Sequence, residues 1–280
     1  MRARRLPAGL RRRAAALLGA TAFLAGAIAC TTGDVENPFA EWQRIRLRVE
    51  HGLLSGQFDM SRVAEDDTLL VETEAVGKLF GATIAHSKSR STLDRASGRS
   101  QRYVDLSPKR GREYVFDETG YTVRKLEPRE TWQSPLDTWE EVSATTYDYP
   151  RTDAGTVPAH DYYGMLLALR QMGLDDLGDE ATVWVATSRG PRSYALRVVE
   201  KRQRQRSFRD VVSGGERTVE AQELRLVVTP AEDSEDAKGF LGMSGETELW
   251  VEAVSKVLLE ISGKIPNVPG RVVLRLDALG

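Results

Sequence analysis

From Trp42 onward the chain alternates apolar and polar residues with a period of two, the mark of strands rather than helices. Ile45, Leu47 and Val49 interleave with Arg44, Arg46, Arg48 and Glu50. That pattern fits an antiparallel strand with one face buried and the other in water. Similar runs occupy 69–75, 102–106, 112–116, 121–126, 182–187, 193–201, 207–212, 217–228, 247–252, 257–262 and 271–276. Asp117-Glu118-Thr119-Gly120 and Gly214-Gly215 read as hairpin turns. Within 217–228 the apolar phase moves from Val219 and Ala221 to Leu224, Leu226 and Val228. This predicts a bulge in that strand and a sheet that curls.

One segment breaks the pattern. Residues 161–172 follow a candidate N-cap, Asp161, and stop at Gly173. Tyr162, Met165, Leu166 and Leu169 form one apolar stripe, while Tyr163, Leu167 and Ala168 fill much of the remainder. A helix apolar nearly all round is a buried helix, and among strands its natural place is the concave face of a curved sheet. The expected fold is therefore mainly β (α+β): a curved antiparallel sheet or half-barrel with one buried helix, in a single domain spanning 38–280. Val183 and Val185 share one face of their strand, and Leu249 and Val251 one face of theirs. Trp184 and Trp250 are left on the opposite faces. Something must cover them, the helix or a bound ligand. The aromatic stretch from Pro128 to Pro158 shows no clear periodicity and is expected to be an ordered crossover or flap. Glu232-Asp233-Ser234-Glu235-Asp236 is expected to be a solvated acidic loop.

Residues 1–29 read as an export segment. Six arginines lie within 1–13, and 14–29 is an uncharged apolar run ending at Ala27-Ile28-Ala29-Cys30. Its length suits a signal-peptide core better than a spanning helix, which needs roughly 20 apolar residues. The ending resembles the lipobox cut by lipoprotein signal peptidase, with Cys30 as the lipidated residue, although Ala27 stands where leucine is usual. An uncleaved anchor helix with an incidental cysteine is the alternative. Paired arginines invite a twin-arginine reading, but alanines follow Arg13 where that motif has Phe-Leu. Thr31 after the cysteine, rather than Asp, resembles lipoproteins sorted to the outer membrane. Residues 30–37 form a tether whose polar spacer from Thr31 to Asn37 reaches at most about 25 Å. The expected location is therefore the periplasmic face of the outer membrane, with the domain close to lipid.

Charge and residue counts narrow the function. Without residues 1–29 the chain has 33 basic against 41 acidic groups, near −8. That sign disfavours nucleic-acid binding. A single cysteine excludes an internal disulfide, and His51, His86 and His160 have no ligand-like spacing, so no metal or other cofactor is expected. There is no Gly-x-Ser-x-Gly elbow, phosphate-binding glycine loop or paired-histidine motif. Carboxylates are plentiful but none is singled out as a catalytic pair. The expectation is a non-enzyme.

The helix Asp161-Tyr-Tyr-Gly-Met-Leu-Leu-Ala-Leu-Arg170, the paired strands Glu248–Glu252 and Val257–Ser262, and the closing Gly270–Leu276 carry a resemblance. Through them the C-terminal half, about 160–280, resembles a bacterial envelope family known as domain of unknown function 3108. The resemblance implies an exported, strand-rich domain and brings no catalytic residues with it. By analogy of architecture, the chain is also similar to the half-barrel carriers and receptors of periplasmic lipoproteins, an analogy of fold and not of function.

Two functions follow as expectations. In the first, the domain holds a hydrophobic or lipid ligand in the concavity of the sheet, lined by Tyr162, Leu166, Trp184 and Trp250. In the second, it is a scaffold that binds another envelope protein or an anionic glycan. Arg202, Arg204 and Arg206 would share one face of an extended chain and could meet phosphates, or they could simply form a solvated edge.

Overall fold

In the computed structural model the alternation resolves into a long meander of strands around one helix. The structure describes residues 37–153, 155–231, 240–265, 268 and 270–280. The expected export segment, Cys30, most of the tether and the acidic loop lie outside the described residues. Asn37–Gly280 forms one compact unit. It contains the helix, all the described strands and their shared core, and by the general properties of such units it should fold by itself.

In chain order the strands are β1 (Arg44–His51), β2 (Leu54–Glu65), β3 (Thr68–Leu79), β4 (Ala82–Asp94), β5 (Ser100–Ser107), β6 (Arg110–Phe116), β7 (Gly120–Glu127) and β8 (Glu140–Asp148). A small ribbon, β9 (Arg151–Thr152) and β10 (Gly155–Thr156), leads to the helix α1 (Tyr162–Ala168). Then come β11 (Glu180–Thr187), β12 (Gly190–Asp210), β13 (Glu216–Pro230), β14 (Ser244–Glu252), β15 (Leu258–Lys264) and β16 (Val272–Leu279). Apart from the ribbon, all belong to one 14-stranded sheet that runs β11 to β16 and then β1 to β8. Among the described residues the meander breaks at the segment carrying α1, between β8 and β11. The curled sheet brings these two regions together through side chains. The Tyr121 hydroxyl donates to the Thr187 carbonyl at 3.0 Å and accepts from the Thr187 N–H at 3.1 Å, and the Tyr147 hydroxyl donates to the Ser188 carbonyl at 3.1 Å.

Directly opposed residues share a face of an antiparallel sheet. One face carries Ile45 opposite Met60 and Leu47 opposite Phe58, with Met60 facing Thr73. Helix α1 lies on this face: Tyr163 accepts a hydrogen bond from the Thr73 hydroxyl at 3.0 Å and stacks on Phe58. Asp161 caps the helix as expected, its carboxylate accepting from the N–H groups of Tyr163 and Gly164 and from the Ser91 hydroxyl. A Cβ at Gly164 would lie 2.8 Å from Ser100 Oγ, so glycine lets the helix sit directly on β4 and β5. The other face is charged. Arg48 opposes Arg275, Arg275 opposes Glu260, Glu260 opposes Trp250, and Trp250 opposes Arg225.

Three sequence readings are corrected. The expected strands 193–201 and 207–212 are one strand, β12, 21 residues long. The predicted bulge lies on β12 between Val198 and Glu200, and β13 itself carries no extra residue. The phase change in β13 arises because its first half packs through Ala221 and Glu223, its second through Leu224, Leu226 and Val228. The Pro128–Pro158 stretch is not merely a crossover: Glu140–Asp148 is a strand on β7, and Trp139 is buried against Gly111.

Candidate ligand-binding recesses beside the helix

The four residues expected to line one hydrophobic pocket do not meet. Trp250 is on the charged face, opposite the helix, and is buried beneath the Arg202 guanidinium, which sits 3.4 Å from its ring centroid. Trp184 opposes Ser193 and is half-buried against the edge of the core, while its neighbours Val183 and Val185 turn fully into it. The inference that something covers the tryptophans was sound for Trp250, but the cover is neither helix nor ligand. It comes from the protein's own β12.

The reason lies in the length of the β12–β13 hairpin. Its distal half bends until Arg209 and Asp210 pair in parallel with Ala278 and Leu279 of β16. This folds the arginine run over the outer face of the sheet. Arg206 is buried and makes a bidentate pair with Glu223, which is itself fully buried; Arg202 also reaches Glu223, at 3.1 Å. Glu260 approaches Arg206 at 3.8 Å. Of the expected anionic-surface residues, then, Arg204 alone remains exposed. Arg202 and Arg206 serve an internal ion cluster, which corrects the picture of one solvated cationic edge.

Tyr162 and Leu166 are beside the sheet's concavity but in different recesses. The first, of about 190 Å³, runs along the C-terminal half of α1. Leu166, Leu167, Trp42, Met60, Leu93 and Leu258 supply its apolar wall, Arg62 and Arg170 its charged edge, and the buried Lys256 also lines it. Lys256 is anchored by the carbonyls of Leu174 and Ala253 and by the Asp175 carboxylate, at 2.6–2.7 Å. Volume for about six waters makes it a slot for part of an aliphatic chain.

The second recess, of about 420 Å³, opens at the N-terminal turn of α1. Tyr114, Tyr162 and Tyr163 share its wall with Arg110, Arg112, Arg189 and Arg192, and Asp105 is its one carboxylate. Burial pushes the Tyr114 phenol up to about 12, and those of Tyr162 and Tyr163 upward as well, so all stay protonated donors at neutral pH. Burial also raises the Asp105 carboxyl, against the pull of Arg112 and Arg110. Sequence reading missed this group of arginines. The available signal was a pair of arginine–glycine segments, Arg110-Gly111-Arg112 at the start of β6 and Arg189-Gly190-Pro191-Arg192 at the start of β12. Gly190 has a φ of +112°, a conformation that favours glycine.

A larger groove of about 540 Å³ on the charged face is spanned by ion pairs, Arg46–Asp59 at 2.7 Å and Arg90–Glu72 at 2.5 Å among them. It is a solvated, self-neutralised surface.

The fold and the recesses define a class: a barrel-like, curved antiparallel sheet with a helix in its concavity. A solved structure shares this architecture, described as a β-barrel-like protein of domain of unknown function DUF1849 from Brucella abortus. The likeness has a TM-score of 0.50 at 8% identity and covers 85% of this chain and 96% of that one. No protein-family model matches the chain, and no curated protein does.

Proposed function

We propose that this is a membrane-tethered binding domain of the cell envelope that holds a hydrophobic or lipid ligand, and that it acts without catalysis. The observation that supports this is the recess along Leu166 and Leu167: an apolar slot between a buried helix and a curved sheet, with cations at its rim. Small barrels hold apolar ligands in such places, and Arg62 and Arg170 suit a ligand with a polar or acidic end. The lipobox-like Ala27-Ile28-Ala29-Cys30 supplies the tether. Protein extracted from its own membranes should carry non-covalent lipid detectable by native mass spectrometry. Preparations that are uniformly lipid-free would count against the reading. Cys30→Ser should leave a precursor of higher apparent mass that lipoprotein signal peptidase no longer matures; normal maturation would remove the anchor.

A scaffold role is the second reading, and one feature favours it. Leu53, Leu79, Phe80 and Ile84 are exposed at neighbouring hairpin ends, where the Phe80 N–H donates to the Leu53 carbonyl. An apolar tip of this kind fits a protein or membrane surface.

A further inference from the structure

We infer that the recess at the N-terminal turn of α1 is an anion site for a phosphate monoester group, held by Arg110, Arg112, Arg189 and Arg192. It goes beyond the hydrophobic-ligand reading and does not depend on it. Many of the other described arginines are matched to carboxylates across the sheet, among them Arg46 to Asp59, Arg102 to Glu113, Arg225 to Glu200, Arg271 to Glu248 and Arg275 to Glu260, all within 4.0 Å. The recess instead gathers four that are not. Among the described residues no carboxylate comes within ion-pair distance of its four arginines. Asp105, the one acid in the wall, leaves an excess of three positive charges.

Four guanidinium groups around one cavity repel each other, and a dianion at their centre removes that repulsion. The guanidinium fork matches phosphate oxygens, and the protonated tyrosines add neutral donors. Two strands and a turn supply the arginines: Arg110 and Arg112 stand on β6, Arg189 in the β11–β12 turn and Arg192 on β12. The site is therefore assembled by the fold and not by one flexible loop. Asp105 sets its limit, because a carboxylate in the wall opposes an incoming anion. The phosphate could be free or could belong to a lipid headgroup.

The test uses the Asn37–Gly280 domain and two soluble probes, inorganic phosphate and dihexanoyl phosphatidic acid, titrated calorimetrically at low salt. Saturable binding of either is expected. Equal affinity for both would point to free phosphate, and binding of the lipid alone to a headgroup; both outcomes support the site. Arg112→Gln with Arg192→Gln should weaken binding by at least about tenfold, while Asp105→Asn should strengthen it. The Asp105 variant guards against a folding artefact, because a misfolded protein would not bind more tightly. Absence of binding for both probes, or affinities that ignore both sets of substitutions, would overturn the inference.

Discussion

Replacing Arg206 with methionine should lower the unfolding free energy of the Asn37–Gly280 domain by about 3–5 kcal/mol. Glu223 is wholly buried, and Arg206 clasps both of its carboxylate oxygens. Removing the guanidinium leaves that carboxylate in the interior with only Arg202, which is partly solvated and also spread over Trp250. The loss should fall toward the lower end if Arg202 shifts to compensate. Joining Arg206→Met to Glu223→Leu should recover most of it, because the charge that needed a partner is gone and two apolar groups of similar bulk take its place. Urea denaturation of the two variants, with unchanged dependence on denaturant, is the measurement. Equal losses for the single and double variants would show that the pair matters through packing and not through charge.

This cluster also shows why part of the fold was illegible in sequence. The alternation of Arg202, Arg204 and Arg206 correctly indicated an extended chain with the three on one side. It could not indicate that a 21-residue strand would bend over its own sheet, burying Arg206 and half-burying Arg202. Burial of charge depends on a partner distant in sequence, here Glu223 on β13, and period-two patterning contains no such information. Strand β4 was missed for a different reason. Its inward positions Ser89 and Ser91 are buried polar residues; Ser91 bonds the Asp161 cap, and its outward neighbours are Lys88 and Arg90. A strand that presents serine to the core has no apolar alternation to detect. By contrast, α1 and its Asp161 cap were legible because they rest on local backbone chemistry, although the α-helix ends at Ala168 and a 3-10 turn, Leu169–Gln171, carries the chain on toward Gly173. Leu166 lies along a recess between the helix and the sheet. Trp250 lies beneath an arginine instead, and burial beneath an arginine and burial beneath a helix leave the same mark in sequence. The arginine recess brings together residues from 105 to 192, a separation beyond any local pattern.

The hydrophobic recess makes the second large prediction. The neutral fluorophore N-phenyl-1-naphthylamine carries no anionic group for the arginine recess, so it reports on the apolar slot alone. It should bind the Asn37–Gly280 domain saturably and quench or shift the emission of Trp42, which lines that slot. Straight-chain alkanols should displace it, each added methylene tightening competition by up to roughly 0.8 kcal/mol until the slot is full. Leu166→Trp places an indole in the space a ligand would occupy. In a real vacancy the added bulk is accommodated, whereas in a closed core it costs about 1–3 kcal/mol. The decisive measurement is probe titration of wild type and Leu166→Trp side by side, with thermal unfolding of both. One-to-one binding to the wild type that is abolished in a Leu166→Trp protein of near-native stability is the predicted result. A wild type that binds no probe, or a Leu166→Trp variant that binds it equally well, would contradict a hydrophobic ligand in this recess.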